Sequence, residues 1–216
     1  KNYKISDFSS VSPIIGRSSG ENISFVLVNN ISFNTLNSIL IPKNGNFLNY
    51  LNYIETPSSS NNGLFKNLLT YKTYKKVNKN IYSFQSKLGN IISLSDDDVL
   101  TVNKFSLGGR WLRGFDNFGA GPRNSRSSYV GGNNIIAMKF DYSRELSTNS
   151  DFPFYFNLFN DYGIVWDNKT TPTNSDSDLR ASYGFGIKYY SPIGPIGFTW
   201  GFPLMDKSYD IKRMFL

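Results

Sequence analysis

The sequence predicts an all-β chain that forms part of an antiparallel transmembrane β-barrel, and three observations carry that expectation. Segment after segment alternates apolar with polar or small residues at a period of two, as a strand with two unlike faces does. The apolar faces are unusually aromatic, drawing on 18 Phe, 14 Tyr and 3 Trp in 216 residues. A soluble sandwich buries mostly branched aliphatic residues, whereas aromatics concentrate in the interfacial girdles of membrane barrels. The connections alternate short and long, as when tight turns lie on one side of a membrane and long loops on the other.

Taken in order, Ile23-Phe25-Leu27-Asn29-Ile31-Phe33 gives one face of the first strand. Residues 46–54 read as a strand by context, since both faces mix apolar and polar residues and the lipid side stays unassigned. Residues 65–74 alternate in part, and Tyr82, Phe84, Leu88 and Ile92 then oppose Ser83, Gln85, Lys87 and Gly89. Beyond a long loop, Ile136, Met138, Phe140 and Tyr142 oppose Ala137, Lys139, Asp141 and Ser143. On 154–166 the apolar side runs from Phe154 to Trp166, and the other side holds Asn157, Asp161 and Asp167. The cleanest strand, 179–190, sets Tyr183, Phe185 and Ile187 against Arg180, Ser182, Gly184, Gly186 and Lys188. Ile196, Phe198, Trp200 and Phe202 alternate with Gly197, Thr199 and Gly201, and Asp210–Leu216 begins one strand more. The expectation is eight complete strands and part of a last one. Short connections fall at 41–45, 76–79, 146–153 and 192–195, and long ones at 56–63, 94–130, 168–178 and 204–209. Pro and Gly in these turns supply fixed and positive φ values.

Composition removes several kinds of chemistry. With no Cys and no His there is no thiol catalysis, no Cys/His zinc site and no His-based triad or dyad. No catalytic residue, metal site or cofactor is expected, and the chain is read as no enzyme. Mean hydropathy is -0.34 and no apolar stretch is long enough for a spanning helix, but a spanning strand needs only about ten alternating residues. The formal charge of +7 comes from basic residues scattered along the chain rather than gathered in a block, so nucleic acid is not an expected partner. The chain begins at Lys1 with neither an initiator Met nor a signal peptide's apolar stretch, so it reads as an internal piece of a longer protein.

Other motifs have plainer readings. Gly119 and Gly121 resemble the start of a dinucleotide fingerprint, but Pro122 and the lack of a following helix remove its context. Asp96, Asp97 and Asp98 lack the spacing of a calcium loop and read as a solvated acidic run, and Asp167, Asp176 and Asp178 read as loop solvation. Tyr189, Tyr190 and Trp200 fit an interface belt better than a stacking site for sugars or bases.

The remaining signal lies in the Gly-rich run 108–123, which contains Leu112, Arg113, Gly114 and Phe115 between strands. It resembles the signature loop of the BamA family of outer-membrane β-barrel assembly factors, in the bacterial surface antigen superfamily. Gly131-Gly132-Asn133-Asn134, residues 160–167 and the turn Ser191-Pro192-Ile193-Gly194-Pro195 follow in the family's order. The resemblance spans nearly the whole chain and is strongest over 107–203. It implies that residues 1–216 are the C-terminal part of a barrel domain with sixteen strands in this family, with the signature loop at about 94–130. Earlier strands and periplasmic domains would precede it. Family logic brings Arg113 into the lumen, onto wall carboxylates at Asp161 and Asp141, and the face assignment independently puts both on the polar side. Many members have Glu where this chain has Asp141. The periplasmic turn motif falls on Ser191, Pro192, Gly194 and Pro195.

The implied function is folding and insertion of β-barrel precursors into the outer membrane of a Gram-negative bacterium. The implied partners are unfolded precursors, outer-membrane lipids and assembly-complex lipoproteins on the upstream periplasmic domains. A two-partner-type polypeptide secretion pore of the same superfamily is the first alternative. A passive porin or adhesin is the second, and the Arg113 motif argues against it.

Overall fold

The computed structural model describes residues 2–5, 20–23, 25–57, 63–95, 98–124, 126–147, 153–167, 177–191 and 194–215. Two short strands, β1 (Asn2–Ile5) and β2 (Gly20–Ile23), pair with each other. The body is one antiparallel sheet of eight strands: β3 (Val26–Asn34), β4 (Gly45–Glu55), β5 (Leu64–Val77), β6 (Asn80–Ser93), β8 (Asn134–Glu145), β9 (Phe154–Trp166), β10 (Arg180–Ser191) and β11 (Gly194–Met205). The chain enters them in this order and each pairs with its neighbours in sequence. The remaining strands, β7 (Gly114–Phe115) and β12 (Lys212–Arg213), pair with each other as a separate two-stranded ribbon.

Alternation forms these strands because each residue then meets the environment it suits. On the outer face, aromatic rings stand beside one another across strands: Phe84 and Phe140 have ring centroids 4.9 Å apart, Tyr82 and Tyr142 5.5 Å, Phe140 and Tyr162 6.2 Å. Phe185 stacks on Trp200 at 5.4 Å. Cross-strand aromatic pairs of this kind stabilise a sheet and fix its register. The register also settles the strand that sequence left open. Ile54, Asn52, Tyr50 and Leu48 oppose Leu27, Asn29, Ile31 and Phe33, so the even-numbered residues of β4 share the outer face, and Phe47, Leu51 and Tyr53 point inward.

The connections differ from expectation in detail. β5 and β6 run further than their alternation, leaving only Asn78 and Lys79 between them, with Asn78 in the left-handed region at φ 55. The first short connection instead spans 35–44, and Leu36, Ile39, Leu40 and Ile41 line a cavity under the sheet's inner face. At the turn motif, the Ser191 hydroxyl donates to the Gly194 carbonyl at 2.7 Å and Pro195 pairs with Tyr190, while Pro192 lies outside the described residues.

The C-terminal segment meets the sheet at two points. Phe215 bridges Trp200 on the outer edge of β11, and the Gly201 N–H donates to the Met214 carbonyl at 2.7 Å. Upstream of that point, Lys212 and Arg213 leave β11 and pair with Phe115 and Gly114 of the signature loop. An element expected wholly in the sheet thus divides its backbone bonds between the sheet edge and the loop.

Candidate functional site

The chain between β6 and β8 folds back over the inner face of β5, β6, β8 and β9 and supplies most of the hydrophobic core. Val99, Phe105, Leu107, Leu112, Phe115 and Ala120 from this loop pack against Leu64, Ile91, Ile135, Ala137 and Val165 of the wall. Loop backbone buried at this depth must find partners. It bridges Phe105 to Gly132, Leu107 to Ala120 and Arg123 to Tyr129. The Arg123 guanidinium donates to the Phe118, Gly119 and Ser127 carbonyls at 3.3, 3.0 and 3.1 Å. The Tyr129 hydroxyl accepts from the Leu107 N–H at 3.2 Å and donates to the Phe105 carbonyl at 3.3 Å, and burial raises its pKa above the ordinary tyrosine value.

Arg113 is the centre of this arrangement. Its Nε and Nη2 donate to the two oxygens of Asp161 at 2.7 and 2.6 Å, its Nη1 donates to Asp141 Oδ1 at 2.6 Å, and its own backbone N–H donates to Asp161 Oδ2 at 3.0 Å. Asp161, fully buried, therefore accepts three hydrogen bonds from one residue. The guanidinium carbon lies 3.7 Å from the centroid of the Phe159 ring, so one of its faces is stacked as well. Burial opposes the charge on Arg113, but the hydrogen bonds and charges of Asp161 and Asp141 outweigh it and raise the guanidinium's pKa further. A planar, permanently charged fork is the only side chain that fills this role, because it meets one carboxylate bidentately and still has a nitrogen for the second.

Three glycines let the loop come this close. Gly114 sits at φ 90, and a Cβ added at Gly201 on the wall would lie 2.6 Å from the Gly114 nitrogen. Gly163, inward on β9, faces Leu107, whose methyls would be 2.7 and 2.8 Å from an added Cβ. Phe115, fully buried, joins the core cluster, and its neighbour Asp116 takes the Ile211 carbonyl at 2.9 Å through its N–H, so the loop tip is gripped by the wall on one side and the C-terminal segment on the other.

Further ion pairs carry no motif in the sequence. Arg180, at the start of β10, donates through Nε to Asp210 Oδ2 at 2.6 Å and through Nη2 to Oδ1 at 3.3 Å, with both side chains buried. Lys104 lies between Asp98, at 2.8 Å, and Asp167. Asp167, expected to be solvated, is thus buried against a loop lysine, and Asp178 pairs with Lys207. Asp96, Asp97 and Asp176 lie outside the described residues. Lys139, inward on β8, donates to the Arg110 carbonyl at 2.8 Å. Inward polarity at the start of β10 signals Arg180, but nothing local points to a partner 30 residues away. Among the described residues no group of acidic side chains has the arrangement of a metal site.

Comparisons with known proteins agree with this architecture. The Omp85 superfamily domain model matches residues 1–215. The outer membrane protein assembly factor BamA of Nitratidesulfovibrio vulgaris is 26% identical over 206 residues, which cover 94% of this chain and 25% of that protein. The chain therefore spans about a quarter of that relative. The crystal structure of BamA from Haemophilus ducreyi lacking POTRA domains 1–3 superposes with a TM-score of 0.80 at 23% identity, covering 91% of this chain and 42% of that one, a likeness of fold. With eight antiparallel strands in the order of a barrel wall, a loop folded onto its inner face and a family model matched from end to end, the chain belongs to the Omp85 superfamily.

Proposed function

We propose that this chain is the C-terminal barrel region of an outer-membrane assembly factor that folds β-barrel precursors and inserts them into the outer membrane of a Gram-negative bacterium. The observation that carries the reading is the Arg113 fork on Asp161 and Asp141, which holds a Gly-rich loop against the inner face of the wall. Unpaired strand backbone is costly in lipid, where no water satisfies it, so a weakly paired last strand is a ready partner for an incoming strand. The work is strand templating, with no chemical step and no cofactor. The similarity to an outer membrane protein assembly factor supports the same reading. Unfolded precursors are the clients, lipids surround the aromatic outer face, and lipoproteins of an assembly complex dock on domains upstream.

Depletion tests it. Loss of the full-length protein should lower many resident outer-membrane barrels together in quantitative proteomics. If every barrel keeps its level and one exported polypeptide disappears, the protein is a secretion pore and the assembly reading fails. Heat-dependent mobility on electrophoresis should accompany the folded protein, and its absence would remove the barrel itself.

A further inference from the structure

Behind the signature loop the wall carries a row of inward side chains that neither the Arg113 clamp nor strand templating uses. In register across three neighbouring strands stand Lys72 of β5, Gln85 of β6 and Lys139 of β8. The loop lays Arg110 and Trp111 over that row, and the five residues line an open cavity of about 140 Å³. Three of the five are cations, and among the described residues no carboxylate lines the space. The next residue of the row, Asp161, is occupied by Arg113. Lys139 spends one of its three protons on the Arg110 carbonyl, which fixes the wall to the loop and leaves two donors. Gln85 supplies an amide, Trp111 an indole N–H and Arg110 a guanidinium, so every polar side-chain group except the Gln85 carbonyl is a donor.

Three like charges gathered in a partly desolvated pocket repel one another and cost free energy unless a counter-charge joins them. Three other buried cations meet that need with carboxylates, Arg113 with Asp161, Arg180 with Asp210 and Lys104 with Asp167, and the lone Arg123 meets it with three backbone carbonyls. In this cluster three cations stand together with no carboxylate lining their cavity. We propose that Lys72, Arg110 and Lys139 form an oxyanion site that takes a phosphate-type dianion, with Gln85 and Trp111 completing its donors. Charge favours this ligand over a single carboxylate, since three cations match two negative charges and several acceptor oxygens better than one charge and two oxygens. A dianion there would bridge β5, β8 and the loop, adding a second anchor beside Arg113. The site opens on the larger cavity of about 640 Å³ that the same three cations also line, which gives an entry path from the turn end of the lumen. The inference is independent of what the protein assembles.

Inorganic phosphate titrated calorimetrically into the full-length protein, folded in phosphate-free detergent, is the direct probe. Saturable binding should weaken about tenfold or more in Arg110→Gln and in Lys72→Gln, the loss of one charged hydrogen-bond partner. Arg110→Lys should retain most of it. Lys188→Gln, which removes the same charge from the larger cavity but not from this one, should leave it unchanged. Each variant is first checked for heat-dependent mobility, so that a folding defect is not read as lost binding. Mixed micelles of phosphatidic acid separate the sources: displacement of bound phosphate identifies a lipid headgroup, and indifference to the lipid identifies the free anion. Absence of saturable binding to the unaltered protein, or equal weakening by Lys188→Gln, overturns the site and leaves only diffuse lumen charge.

Discussion

At β3 both faces of the sheet are open: Val28 is 52% exposed on one side, and Ile31 and Phe33 are 68% and 61% exposed on the other. At β8 and β9, four and five strands away, the inward Ile135, Ala137, Phe159 and Val165 are almost wholly buried. The strands themselves are alike in pattern and hydrogen bonding, so the difference lies in what covers them. A sheet needs a second layer before its apolar side chains leave water, and here that layer is the loop between β6 and β8 rather than another sheet or a helix. Its attachment should therefore dominate the energetics of the covered end and be irrelevant at the open one.

Arg113→Ala is the largest test of that contrast. It leaves Asp161 and Asp141 buried without their counter-charge, a loss of about 3–5 kcal/mol when a buried pair is broken from one side. The loop should become protease-sensitive while the β3–β4 end keeps its native hydrogen-exchange protection. Arg113→Lys should restore only part, because one ammonium cannot make the bidentate contact and reach Asp141 as well. The exchanged pair Arg113→Asp with Asp161→Arg should recover some of what either single change loses. It cannot recover all, since the Arg113 backbone N–H also relies on the Asp161 carboxylate. Zero coupling of Arg113 with both aspartates in double-mutant cycles would detach the loop from this explanation.

The hydrophobic half of the attachment is tested by Leu112→Ala. Leu112 is fully buried in the core cluster, and truncating such a side chain costs about 2–5 kcal/mol depending on how far the site collapses. Equilibrium unfolding in detergent should register the loss, together with faster proteolysis of the loop. Stability unchanged by this substitution would mean that the loop rests on its ion pairs alone and that the covered end has no true core.

Local periodicity carries the strands because it is written in adjacent residues, and the inward placement of Asp141 and Asp161 follows from it directly. Arg113 stood out through its Gly-rich setting. What stayed hidden depends on residues far apart in sequence. Arg180 with Asp210, Lys104 with Asp167, and the pairing of Lys212–Arg213 with the loop leave no periodic trace, and each partner alone reads as an ordinary polar residue. The row Lys72, Gln85 and Lys139 is visible only once register is known, since a shift by one residue would turn each side chain to the other face. Asp167 misled for the opposite reason: at the end of a strand, beside a polar loop, its sequence context was that of a solvated residue.

Gly201→Ala probes the junction where the wall, the loop and the last strand meet. An added Cβ would press on the Gly114 nitrogen and the Arg113 carbonyl carbon, backbone atoms that cannot rotate away. Overpacking of this kind costs about 1–3 kcal/mol. The loop tip should shift outward, loosening the bridge between Trp200 and Phe215 and slowing whatever step uses that edge. Disulfide trapping between residues placed on β11 and on the last strand would detect the change. Unaltered trapping would show that the tip and the edge of β11 move independently.

The smallest effect is expected at the open end, where Asn49 Nδ2 donates to Asn30 Oδ1 across β3 and β4. Both side chains are hydrated, so removing the bond exchanges it for one to water, and Asn30→Ala should change stability by no more than about 0.5 kcal/mol. Asn157 provides the matched case at the covered end, because it is fully buried and also inward-facing. Asn157→Ala should have a measurably larger effect of either sign, since the buried amide's desolvation and packing no longer cancel against water. If the two substitutions proved equally silent in the full-length barrel, coverage by the loop would not be what separates the two ends, and the contrast would have to come from the strands themselves.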